Sequence, residues 1–104
     1  MRIAIYSRGL EADQQNGIKL LLSELAAYKI EPVIYQDFFN QFYSVINFGE
    51  KYSTFNSPED LIDDIECIIS LGGDGTLLDT VTFVRDTGIP VLGINYRAYI
   101  KIMR

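Results

Sequence analysis

The chain has 104 residues, 48% of them hydrophobic, with one cysteine, no histidine and a formal net charge of −5. That size suits one core of about four or five strands. The acidic balance disfavours nucleic-acid partners, a single cysteine excludes an internal disulfide framework and fits a reducing cytoplasm, and neither a signal peptide nor a membrane-spanning segment is expected.

Arg2–Tyr6, short and apolar, reads as a first strand, followed by a polar stretch from Ser7 and a helix beginning near Asp13. Ile18, Leu21, Leu22, Leu25 and Tyr28 form one apolar stripe, which predicts a helix over 14–29. Glu31-Pro32 ends it, because the residue before proline is driven out of the helical region, and Pro32–Tyr35 reads as a second strand. Phe38, Phe39, Phe42, Tyr43 and Ile46 have helical spacing, whereas Phe48–Phe55 is mixed. Ser57-Pro58-Glu59-Asp60 marks a helix start, with Ser57 as N-cap, and a short helix is expected over 58–64. A third strand over 66–71, a helix over 76–86 stopped by Gly88, and a fourth strand over 90–94 complete the alternation. This pattern predicts an α/β fold: a Rossmann-like parallel sheet of about four strands with helices on both faces, in three layers.

The most informative run is Ile69-Ser70-Leu71-Gly72-Gly73-Asp74-Gly75-Thr76-Leu77-Leu78. It places three glycines and one carboxylate in a turn from a buried strand into a helix. Such a turn leaves backbone N–H groups at a helix N-terminus, where a phosphate can dock, and glycine lets the backbone approach a ligand closely. An acid there would repel a phosphate alone. It makes sense if Asp74 acts on a hydroxyl beside the phosphates, or on their magnesium. With no histidine, His-based triads and His-ligated metals are excluded, and any general base must be a carboxylate, a lysine or a tyrosine. The bland alternative is that Asp74 merely caps its helix.

Ile68 to Asn95, read as I-I-S-L-G-G-D-G-T-L-L and then G-I-P-V-L-G-I-N, resembles the N-terminal domain of the NAD kinases. The resemblance implies phosphoryl transfer to the adenosine 2′-hydroxyl of NAD, giving NADP. ATP or polyphosphate would be the donor, with Mg2+ or another divalent cation. It implies that Gly72, Gly73, Asp74, Gly75, Thr76 and Asn95 bind the nucleotide and that Asp74 acts on the 2′-hydroxyl. A cytoplasmic enzyme, homo-oligomeric in the full-length family, with no nucleic-acid or membrane partner, is also implied. Residues 1–95 are expected to form the family-like domain. Residues 96–104, Tyr-Arg-Ala-Tyr-Ile-Lys-Ile-Met-Arg, depart from the family's Leu-Gly-Phe continuation and are expected to be a divergent or truncated tail. The family's C-terminal domain is expected to be absent, leaving the chain inactive alone.

Other Gly-Gly-Asp-Gly kinases, of the lipid-kinase or phosphofructokinase type, fit the turn but not the Ile-Pro-Val-Leu-Gly-Ile-Asn continuation. The Tyr6-Ser7-Arg8-Gly9 segment lacks the Gly-Gly turn expected of a phosphofructokinase. A non-catalytic nucleotide-binding remnant is the remaining alternative. Ligands in parallel sheets bind beyond the carboxyl ends of the strands, where Gly72–Thr76, Asn95 and the Ser7–Gly9 turn all fall. Asp63, Asp64 and Glu66 read as solvated acids rather than a metal cluster, Cys67 as a small buried hydrophobe, and Phe38–Phe48 as core rather than a base-stacking platform.

Overall fold

The computed structural model describes residues 1–10, 14–61, 64–95 and 99–103. Period-two burial builds the sheet. In β1 (Arg2–Tyr6) Ile5 faces one layer while Ala4 and Tyr6 face the other; in β2 (Glu31–Tyr35) Ile34 and Val33 divide in the same way. β4 (Ile65–Leu71) alternates likewise, with Ile69 and Leu71 on the first face and Ile68 on the second. A strand with both faces covered reads as a continuous apolar run, as these do.

The first face is covered by α1 (Gln15–Ala27), through Ile18, Leu22 and Leu25, and by α2 (Gln36–Phe42), through Phe38. The second is covered by α3 (Asp74–Val84), through Leu77 and Val84, and by a single 3-10 turn at Pro58–Leu61. Three layers result. The strand order is β3-β2-β1-β4-β5-β6, where β3 is Ser53–Phe55, β5 is Val91–Asn95 and β6 is Tyr99–Met103. The chain first winds outward from β1 to β3, then returns to the other side of β1 with β4, so the topological switch lies between β1 and β4.

All four predicted strands are present and mutually parallel, including β4 beside β5 with Ile68 opposite Val91 and Leu71 opposite Ile94. The sheet is wider than four strands. β3 adds a parallel edge beside β2, and β6 an antiparallel edge beside β5, with Asn95 opposite Tyr99. Three residues are too few to show a period, which is why β3 escapes a reading of the sequence alone. The tail segment Tyr99–Met103, by contrast, pairs as a strand.

The helix expected over 58–64 closes as only one 3-10 turn. Its start has the anticipated chemistry, because the Asp60 carboxylate accepts the backbone N–H groups of Asn56 (2.9 Å) and Ser57 (3.2 Å) and reaches back to the Ser57 cap position. Those two N–H bonds hold the Asp60 carboxyl below its ordinary range. Asp64 then turns left-handed at φ 64, which helical continuation cannot accommodate. The helix start near Asp13 lies outside the described residues, as do Asp63 and Tyr96–Ala98.

α1 ends in a Schellman arrangement. Ile30 N–H bonds the Leu25 carbonyl at 2.8 Å, Lys29 N–H bonds that of Ala26 at 3.0 Å, and Lys29 itself sits at φ 59. Glycine is the residue this position prefers. Lys29→Gly is therefore expected to stabilise the domain by about 1 kcal/mol, the cost of holding an L residue left-handed. Urea unfolding checks this; an unchanged or lower midpoint would show that the lysine is not strained.

Candidate functional site

The carboxyl end of β4 is where sequence and topology converge. Gly72 follows Leu71 at φ +146, and its N–H bonds the Ile94 carbonyl at 3.1 Å, tying the turn to β5. A Cβ at Gly72 would lie 2.8 Å from Thr76 Oγ1 and 3.1 Å from Thr76 Cβ, so both the dihedral and the space demand glycine. Gly73 is the N-cap of α3, and the first bond of the helix runs from Leu77 N–H to the Gly73 carbonyl at 3.1 Å. The amides of Gly75 and Thr76 come before that bond, at the positive end of the helix dipole.

Asp74 is the first residue of α3 and is exposed. The N-cap position is held by Gly73, not by Asp74. A side-chain oxygen caps a helix from that position. Thr76 is buried beneath the turn, and its carbonyl accepts a 2.8 Å bond from the Thr80 hydroxyl, which fixes the first turn of α3 from below. Gly93 packs beneath the same helix, since a Cβ there would lie 2.9 Å from Leu77 Cδ1. Gly72, Gly73, Asp74, Gly75 and Thr76 thus form one contiguous turn, and Asn95 ends the neighbouring strand β5.

The loop after β1 faces this turn across the switch point. Ser7 is fully buried, and its hydroxyl donates to the Leu71 carbonyl at 3.0 Å, so the end of β1 is stitched to the last residue of β4. Gln41 of α2 donates from Nε2 to the Arg8 carbonyl at 3.0 Å and holds the loop from the other side. Arg8 then extends over the turn. Its Nε donates to Asp79 Oδ2 at 2.6 Å, its Nη2 donates to the same oxygen, and Nη1 lies 3.8 Å from where a Cβ on Gly75 would sit. The Ser7–Gly9 turn is a strand-end candidate that the sequence already offers, whereas Asp79 is not. Only the adjacency of β1 and β4 brings Arg8 and Asp79 together.

Candidate bases near the turn can be sorted by environment. Tyr6 is pushed above the ordinary phenol range, first by burial and then by the Asp79 and Tyr35 charges, with Arg8 opposing, so it stays a protonated phenol at neutral pH. Asp79 pairs with Arg8. Lys19, Lys29 and Lys51 line an open groove of about 920 Å³ with Arg2 and Glu31, which begin β1 and β2. That groove lies at the amino ends of the strands, away from the carboxyl ends where ligands of such sheets bind. Asp74 is thus the carboxylate that the turn itself presents.

The remaining sequence candidates resolve on packing. Phe38 and Phe48 are core residues, 6.1 Å apart edge-to-face, while Phe39, Tyr43 and Tyr52 stack outside them. Cys67 is half-buried, and burial, with Glu66 adding, pushes its thiol above the ordinary range, which disfavours the reactive thiolate. Among the described residues no group of three or more His, Cys, Asp or Glu side chains converges on a possible metal position. Among them, too, no helix is long and apolar enough to cross a membrane.

Comparison with known proteins agrees with this geometry. Residues 24–98 match the family model of the ATP-NAD kinase N-terminal domain. The chain is 38% identical over 95 residues to an NAD kinase of Flavobacterium johnsoniae, covering 91% of this chain and 32% of that protein. It is 33% identical over 95 residues to an NAD kinase of Christiangramia forsetii, with the same 91% and 32% coverage. A shorter match, 53% identical over 47 residues, joins 45% of the chain to 16% of an NAD kinase 2 of Streptomyces coelicolor. The chain spans about a third of the length of the first two relatives (32%). A glycine turn at a topological switch point, in a parallel three-layer sheet that matches the family model over most of its length, places this chain in the ATP-NAD kinase N-terminal domain family.

Proposed function

We propose that this chain is the amino-terminal part of an NAD kinase, which transfers a phosphoryl group from ATP or polyphosphate to the adenosine 2′-hydroxyl of NAD and yields NADP. The observation that carries the reading is the placement of Asp74. It is an exposed carboxylate at the first position of α3, within a turn whose glycines leave the backbone accessible, at the switch point of the sheet. Phosphates are anions and favour the amides of Gly75 and Thr76 at the helix N-terminus. A hydroxyl beside those phosphates needs a proton acceptor, and in this reading Asp74 takes its proton as the oxygen attacks the terminal phosphorus of the donor. Gly72, Gly73 and Asn95 complete the nucleotide contacts.

Phosphoryl transfer asks little covalent work of a protein; alignment and charge neutralisation dominate. The described side chains build no cage of their own for a divalent cation. Magnesium in such reactions commonly takes only one or two protein carboxylates and otherwise rests on the substrate phosphates, so a single carboxylate at this turn suits it. When bound it neutralises phosphate charge. The setting proposed is the cytoplasm, and the enzyme is proposed to assemble from several copies, as the family resemblance implies.

The test is NADP production from NAD, ATP and magnesium by two proteins: this chain alone, and this chain joined to the portion of the Flavobacterium johnsoniae relative that it does not cover. The joined protein is expected to turn over and the isolated chain to remain inactive, because in-line transfer requires donor and acceptor to be held together. A joined protein that folds, binds NAD and makes no NADP would contradict the reading.

A further inference from the structure

We infer that Arg8 is a phosphate-binding residue of the glycine turn, held in place by Asp79 until the phosphate-anhydride chain of a ligand takes that carboxylate's place. The inference rests on the preceding reading that phosphates dock at this turn. It is carried by a different observation, the delivery of an arginine across the switch point. The loop bearing Arg8 is anchored on two sides, by the Ser7 hydroxyl on the Leu71 carbonyl at 3.0 Å and by Gln41 Nε2 on the Arg8 carbonyl at 3.0 Å. The guanidinium is thereby aimed rather than adrift.

Nε and Nη2 both donate to a single oxygen, Asp79 Oδ2, Tyr6 shares a further side-chain hydrogen bond with the guanidinium, and Nη1 lies 3.8 Å from the Cβ position of Gly75. The pair is open to water, with side chains 59% and 39% exposed, and exposed ion pairs contribute little. Exchange of a carboxylate for a phosphate is therefore cheap. Phosphate oxygens accept the forked N–H groups of arginine at least as well, and arginine is the side chain best shaped for them. Asp79 is then a positioning residue. It keeps the arginine extended over the turn when no anion is bound, and competes with the anion when one arrives.

A phosphate-anhydride chain occurs both in the donor and in the diphosphate of NAD, so the test has two arms. Isothermal titration of the full 104-residue chain, at low salt, uses inorganic tripolyphosphate in one arm and NAD in the other. Arg8→Met is expected to weaken tripolyphosphate binding by about tenfold or more, since a charge-assisted contact is lost. Arg8→Lys should fall between, because lysine offers a point charge without the fork. Asp79→Asn should tighten binding by roughly threefold or more, because the fraction of chains with a released arginine rises. Effects of opposite sign from the two halves of one ion pair are not what a merely structural pair gives.

Weakening by Arg8→Met in the tripolyphosphate arm alone assigns the contact to the donor; weakening in both arms extends it to NAD. Equal tripolyphosphate affinity in wild type and Arg8→Met overturns the inference, as does absence of binding to both wild type and Asp79→Asn. If Arg8→Met binds normally while the joined enzyme still depends on Asp74, the arginine role fails and the kinase reading stands. If Arg8→Met loses tripolyphosphate while Asp74→Asn leaves the rate unchanged, the reverse holds.

Discussion

Asp74→Asn, made in the joined enzyme, is expected to lower the steady-state rate of NADP formation by about 10²-fold or more, the usual size of a general-base contribution. Asparagine preserves the shape and most of the polarity of the side chain but cannot accept the 2′-hydroxyl proton. The change touches the first residue of α3, an exposed position outside both core clusters, so folding should be spared. NAD affinity should change far less than the rate, because the glycine amides remain. The environment of the turn sharpens this expectation. Tyr6 is held as a protonated phenol, so it does not stand ready to replace Asp74. Equal rates for wild type and Asp74→Asn would mean that the aspartate is structural and the proposed chemistry wrong.

Gly72→Ala is expected to act on folding and on the site together. The backbone at φ +146 is a conformation that side-chain-bearing residues rarely adopt, and the new methyl group would meet both Oγ1 and Cβ of buried Thr76. Strain of about 1–3 kcal/mol from the dihedral and a similar amount from overpacking should add to roughly 2–6 kcal/mol. Against a total stability of about 5–15 kcal/mol for a domain, that is a large fraction. Thermal unfolding should show a much lower midpoint, and any folded remainder should have lost the Gly72 N–H bond to the Ile94 carbonyl. Gly73→Ala is the control, since a Cβ there meets nothing within 4 Å and its φ is −91. A Gly72 variant as stable as the Gly73 variant would show that the turn relaxes freely.

The legible parts of this molecule were those specified by contiguous residues. Arg2–Tyr6 and Ile65–Leu71 announce themselves as apolar runs, α1 by its Ile18-Leu22-Leu25 stripe, and the glycine turn by its own composition. Elements that depend on neighbours were not legible. β3 is three residues long and exists as a strand because β2 offers it an edge, and the 58–64 helix shortens to one turn because Leu61 is drawn into the core while Asp64 turns left-handed. The site divides in the same manner. Gly72–Thr76 could be read directly, while the Arg8–Asp79 pair joins residues 71 positions apart and becomes visible only once β1 and β4 lie side by side. Sequence patterns report local geometry well and switch-point crevices poorly, since a crevice is made by strand order.

The central claim is that the turn at the carboxyl end of β4 is a nucleotide-binding site in this chain. Amide chemical-shift mapping of the isotopically labelled chain titrated with NAD tests it most directly, because it reports each backbone N–H separately and needs no turnover. Weak, saturable shifts are expected, concentrated at Gly72, Gly73, Asp74, Gly75 and Thr76, reaching Asn95 and the Ser7–Gly9 loop, and absent from the groove lined by Lys19, Lys29 and Lys51. Shifts centred on that groove, or no shifts at the glycine turn at millimolar NAD, would contradict the account.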